Sequence, residues 1–541
     1  MLRDLDLADA PVTSVEAAWV KAALSGEPAV RARTAIARGL RLLPPQLLLV
    51  AIKEALRYCS PGPAQDNLTG SGTVVQAVLS IADEVGEEVR EEGPLWGGVV
   101  ASLASEIIAN QHFNAMAYPA PLIARTQAVW REGWPKSISG KLQSRAGGSP
   151  ADLFAEATRC DLDAFLGVAT HLWVQAQQHR FLRFPPDFFQ RIGVAPAAVD
   201  LFLQATSMTL AELQHEVAPE PGPAQTPWDF NVLRRHPIVR LPDGSTQVIR
   251  IGFVLQRAFG HVTEFDVRDY LRSLDGGTDE TVQGGREEAF CACLNAQFEH
   301  NVGEVLRRIF PSDGPFKRVY SENDMKRAWR TRGGTPKVCD WVVDCGDVWL
   351  CLDATNRRIP QPLVNGRADT AQLDAELAIT LAERKAGQIA STIRQLTQHL
   401  PRLTGRNLLR GTRFIPLVVT PDDGLPWNPA VHRRVQDLVA ASGKLQGHRT
   451  TELGIVSMED LGFLERIVDD GSNAGDCLRT WRSQRPEVSL QHFLHGQGVV
   501  LRRPQWELYK VGQLIDDLVD QQTTYVARNP LPSLSPPDMP S

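Results

Sequence analysis

The chain lacks most of the features that assign a protein quickly. It has 8 cysteines among 541 residues and no CxxC pair, so a disulfide framework is not indicated and free thiols in a cytoplasmic protein are expected. Long hydrophobic runs are missing. The longest candidate, LLPPQLLLVAI (42–52), carries two prolines and falls short of the ~20 apolar residues that cross a bilayer. The opening MLRDLDLADAPVTS has three aspartates and no hydrophobic stretch, so it is not expected to be a signal peptide. No Walker A, GxSxG, HExxH or GxGxxG sequence occurs, so nucleotide-loop, serine-elbow and zincin chemistries have no motif to rest on. An excess of one charge is lacking too. With 57 Lys+Arg against 63 Asp+Glu, the net charge is −6, and a globally basic polyanion binder is excluded.

What is present is ordinary soluble composition at a length that implies roughly three domains. VAPEPGPAQTP (217–227) reads as a linker. Residues 1–216 place apolar side chains at helical spacing in successive segments, the last two being 151–182 and 196–217. They form an expected α-helical domain, of one or two subdomains, suited to a protein partner. Residues 228–284 hold a hairpin signal, HPIVRLPDGSTQVIRI, and then a helix with a break at Gly260. Residues 285–470 form the expected α/β domain, 471–527 a helical extension and 528–541 a proline-rich disordered tail.

Local charge is uneven. From Arg307 to Lys337 there are nine Lys+Arg against three acids, and from Arg384 to Arg413 seven and none. Arg330, Arg332, Lys337, Arg357, Arg358 and Arg394 are the candidate phosphate contacts. Their alternative is a pair of solvated faces. Trp329 and Trp341 could stack on bases, with core packing the safer reading for Trp341.

These clusters flank CDWVVDCGDVWLCLDATNRR (339–358). It reads as a strand, a turn with hairpin chemistry at Asp344–Asp347, and a strand buried on both faces. Turning there brings Asp340 and Asp353 to one end of the pair. On the following helix, around 372–400, Lys385 falls on the wheel with Ala378, Leu381, Ile389 and Thr392, within the apolar stripe, and Gln388 lies one turn on. A lysine there needs an anion or must snorkel to the rim. The 285–310 helix has a stripe of Phe290, Leu294, Phe298, Val302, Val305 and Ile309, and carries Glu299. Cys291, Cys293, Cys339, Cys345 and Cys351 lack zinc-site spacing, as do His112, His171 and His179. GSGT (70–73) lacks the lysine of a phosphate loop.

Helix, Asp-bearing hairpin, helix and the further strand RFIPLVVT (413–420) resemble the PD-(D/E)XK nuclease superfamily over residues 285–470. The resemblance implies a restriction-endonuclease-like α/β core and metal-dependent cleavage of DNA, less readily RNA. It implies Asp340 and Asp353 as ligands of Mg²⁺ or Mn²⁺, Glu299 as an additional acid and Gln388 as an orienting group. Joined to a helical half, such a core is similar in architecture to bacterial defence or restriction components. One position departs: Thr355 stands two residues after the second acid, where the family has its lysine. Lys385 is then the candidate migrated lysine. Without it the chain is a nucleic-acid-binding module or scaffold on an inactive nuclease fold.

Overall fold

Two patterns of apolar residues build the architecture: helical stripes in the first half and continuous buried strands in the second. The computed structural model describes residues 45–58, 119–179, 182–217, 229–275, 285–312, 318–358, 370–422, 424–425, 429–447 and 449–528, with single positions at Val30, Gln76, Val78 and Ser80. The other helices expected before 119, GSGT, His112, most of the linker and nearly all of the tail lie outside the described residues. No described helix is long and apolar enough to cross a membrane.

The first half contains α1 (Pro45–Tyr58), α2 (Pro119–Thr126), α3 (Leu162–His179), α4 (Pro196–Thr206), α5 (Leu210–Val217), α6 (Ile251–Phe259) and α7 (Val262–Leu274). Phe154, Phe165, Phe202 and Phe290 lie in one of its cores. The expected helix over 151–182 is broken at Arg159, whose φ of 58° is left-handed, and restarts with Asp161 accepting from the Ala164 N–H. The expected helix over 196–217 is also broken. Thr206 and Ser207 hydroxyls donate back to the Phe202 and Leu203 carbonyls, ending α4. Thr209 and Glu212 then form a reciprocal cap that starts α5.

Between them Ser207–Thr209 is a strand. Together β1 (Arg183–Phe184), β2 (Ser207–Thr209), β3 (Ile238–Arg240) and β4 (Thr246–Val248) form a sheet in the order β1-β4-β3-β2. The 236–251 hairpin is therefore not a free-standing connector; it pairs with strands from before the proline-rich segment.

The second half is three layers. Its sheet runs β5 (Val319–Ser321), β6 (Trp341–Asp344), β7 (Val348–Ala354), β8 (Arg413–Thr420), β9 (Gly454–Ser457) in that order, antiparallel through β7 and parallel from β7 to β9. Every residue of β7 is buried, as a central strand covered on both faces requires. The long helix α8 (Arg286–Ile309) packs Phe298, Val302, Val305 and Ile309 on one face, while its first half serves the other core through Phe290 and Leu294. The opposite face is covered by α9 (Glu322–Trp329), a helical run from Thr370 that becomes α10 (Ala386–Thr404), and α11 (Pro429–Ala441). α12 (Met458–Asp469) and α13 (Ala474–Gln484) add to the α8 side, and α14 (Gln505–Arg528) returns to the first half, where Asp517 pairs with Arg131 at 2.8 Å.

Candidate active site

Register puts two carboxylates face to face. Trp341 pairs with Leu352 across β6 and β7, and one step further Asp340 stands opposite Asp353. Opposed residues of an antiparallel pair project to the same side. Alternation along β7 assigns that side: Trp349 and Cys351 enter the core beneath α10 and α11, and Asp353 follows them, whereas Leu350, Leu352 and Ala354 face α8. Asp353 is 0 % exposed. Asp340 lies just outside β6, fixed by two bonds. Its Oδ2 accepts the Ala354 N–H at 2.7 Å, and its carbonyl accepts the Glu322 N–H at 2.7 Å.

Lys385 reaches this pair from the crossover helix. Its Nζ donates to Asp353 Oδ1 and, at 2.7 Å, to the Ala354 carbonyl. The amine is buried and does not snorkel. The helix reaches it by a route that the 100° wheel does not contain: Ala378–Lys385 is π-helical. The wider turn rotates the segment, so that Leu377, Thr380 and Leu381 are buried while Ala378 is only half-buried. Ile389 and Thr392 are buried as the wheel places them. π-turns are rare and concentrate at functional sites.

Electrostatics follow from burial. Loss of solvent, and then the Asp340 charge, hold the Asp353 carboxyl well above the usual range, opposed by Lys385. Burial also raises Asp340, against the pull of Lys385 and the Ala354 N–H. Glu299 on α8 is pushed up to about 7 by burial and then by Asp340. Asp340 and Lys385 thus act electrostatically on both Asp353 and Glu299.

Asp353 Oδ2 is buried without a hydrogen-bond partner. An unpartnered carboxylate oxygen beside a second carboxylate is a donor set that fits a hard divalent cation. Mg²⁺ commonly takes one or two protein carboxylates and fills its shell with water and phosphate oxygens. Among the described residues no three His, Cys, Asp or Glu side chains converge to hold a metal ion, so the set here is the two aspartates. Cys339 and Cys351 are buried on or beside the strands, and burial pushes their thiols up.

The remaining candidates divide. Gln388 lies one turn beyond Lys385; its amide reaches the Val338 carbonyl only at 3.5 Å, and its Oε1 is buried and unpartnered. Arg330, Arg332, Lys337 and Arg394 are exposed, the first three on the loop that leads into Asp340. Arg357 is bound to Glu376 and Thr380. Arg358 is committed to a bidentate pair with Glu264 at 2.5 and 2.6 Å, which corrects its reading as a phosphate contact. Trp329 is also corrected: it is 1 % exposed, and its ring N–H donates to the His399 carbonyl at 3.2 Å. His171 donates its Nδ1–H to the Gly167 carbonyl, at 2.7 Å within its own helix.

Two contributors lie outside the sequence patterns. The Ala354 carbonyl anchors Lys385. Gly303 lets α8 lie against Trp341: a Cβ there would fall 2.1 Å from the indole. The Trp341 ring N–H in turn donates to the Glu299 carbonyl at 3.1 Å, so this contact sets where Glu299 stands. A glycine one helical turn from an acid was the available signal.

Comparison of the chain with protein-family models, with curated proteins and with solved structures finds no match.

Proposed function

We propose that the protein is a metal-dependent nuclease that hydrolyses phosphodiester bonds in DNA, on a restriction-endonuclease-like core formed by β5–β9 and their covering helices. The observation that carries this reading is the meeting of Lys385, from the crossover helix, with Asp353 and Asp340 at the end of the central strand. Asp340 and the unpartnered oxygen of Asp353 would hold Mg²⁺ or Mn²⁺. When bound, such an ion supplies Lewis-acid polarisation of the phosphoryl group and a more acidic water.

The protein's own groups do the rest. Lys385 fixes the Asp353 carboxylate and places a positive charge where negative charge develops on phosphorus oxygens. Glu299, whose proton affinity is centred near neutrality at about 7, accepts the proton of the attacking water. The water oxygen bonds to phosphorus as the bond to the leaving oxygen breaks. That oxygen departs with the electron pair and takes a proton from solvent. The exposed Arg330, Arg332, Lys337 and Arg394 would track the phosphate backbone.

One observation favours a second reading. Asp353 is wholly buried and already neutralised by Lys385, as in a structural ion pair of a noncatalytic nucleic-acid-binding protein. Incubation of the purified protein with supercoiled and linear DNA, with Mg²⁺, Mn²⁺ or a chelator, separates the two. Cleavage that the chelator stops supports the nuclease. DNA binding without cleavage under any metal supports the second reading.

A further inference from the structure

β7, β8 and β9 are parallel, so their carboxyl ends lie at one edge of the sheet, where α/β proteins commonly place ligands. Asn356 after β7, Asp422 after β8 and Met458 after β9 line a cavity of about 590 Å³ there, closed by α2, α8 and α14. That size suits a small molecule.

Most charges around the cavity are paired. Arg358 binds Glu264, Lys510 binds Glu132 and Arg308 binds Glu465. Glu507 differs. It is 4 % exposed, lines the cavity, and its Oε2 has no hydrogen-bond partner. Three of its charged neighbours, Asp422, Glu459 and Glu465, are acids. The opposing cation, Arg503, is paired with Glu459. Trp130, Trp134 and Trp506 supply aromatic wall, and the Arg308 guanidinium lies 4.9 Å from the Trp506 ring. Tryptophan faces favour organic cations. Among the described residues no three His, Cys, Asp or Glu side chains converge as metal ligands.

We propose that this cavity binds a small organic ligand by seating an ammonium or guanidinium group on Glu507, beside the aromatic wall. The site is separate from the Asp340–Asp353–Lys385 group and does not depend on the nuclease reading. Burial, and then the surrounding acids against Arg503, push Glu507 up to about 8. At pH 7 it therefore holds a proton, which an arriving cation displaces.

Calorimetric titration of the full chain at pH 7 tests this, in two buffers of different ionisation enthalpy. Agmatine probes a free amine, and a capped Gly-Lys-Gly peptide probes the same group carried by a protein. Saturable binding of either, with release of about one proton, is the expected result, and the one that binds identifies the source. Glu507→Gln copies the protonated carboxyl, so it keeps the fold, and it should weaken binding by roughly tenfold or more and abolish proton release. Absence of saturable binding by both probes, or unchanged affinity in Glu507→Gln, overturns the proposal.

Discussion

Lys385 and Asp353, 32 residues apart in sequence, are joined in a buried ion pair at the end of the central strand. Removing one member of such a pair strands the other. Lys385→Met should therefore destabilise the fold by about 3 kcal/mol. The sign with pH is fixed by the acid left behind. Asp353 is already raised, and without Lys385 it is raised further, so it stays neutral at low pH and must be ionised as pH rises. The loss should be larger at pH 8 than at pH 5.5 in urea titrations, and Asp353→Asn in the same chain should recover part of it.

Metal binding should carry the same proton signature. Asp340, Asp353 and Glu299 all hold protons above their ordinary range, Glu299 to about 7. A cation held by Asp340 and Asp353 must displace their protons, so its affinity keeps rising with pH above the ordinary carboxylate range. Mn²⁺ should raise the melting temperature more at pH 8 than at pH 6, and should fail to raise it in Asp353→Asn. An equal shift in parent and variant would place the metal elsewhere.

Gly303→Ala tests how Glu299 is placed. The new methyl meets the Trp341 indole at 2.1 Å, and overpacking of this kind costs about 1–3 kcal/mol. α8 must move, and Glu299 with it. The variant should lose stability and, under saturating Mg²⁺, lose DNA cleavage beyond the unfolded fraction measured by circular dichroism.

Much of this was legible because local signals and burial agreed. β7 reads as a strand from its unbroken VWLCL, and the turn at Asp344–Asp347 fixes the register that opposes Asp340 to Asp353. The stripe on α8 from Phe290 to Ile309 is buried at each position named. The misses have physical causes. The wheel assumes 100° per residue, and the π-turn at Ala378–Lys385 violates it. Ser207–Thr209 sits inside a helix-like pattern, and only the Thr209–Glu212 cap marks the restart. Arg358 has the composition of a phosphate contact, but Glu264, 94 residues earlier, claims it. No local pattern encodes that partner.

The most direct measurement is plasmid cleavage in Mg²⁺ by the parent, Asp353→Asn and Lys385→Met, each checked for native circular dichroism. The parent should cleave, and each variant should be slower by about 100-fold or more. Equal rates in all three would contradict the assignment of Asp353 and Lys385 to the chemistry.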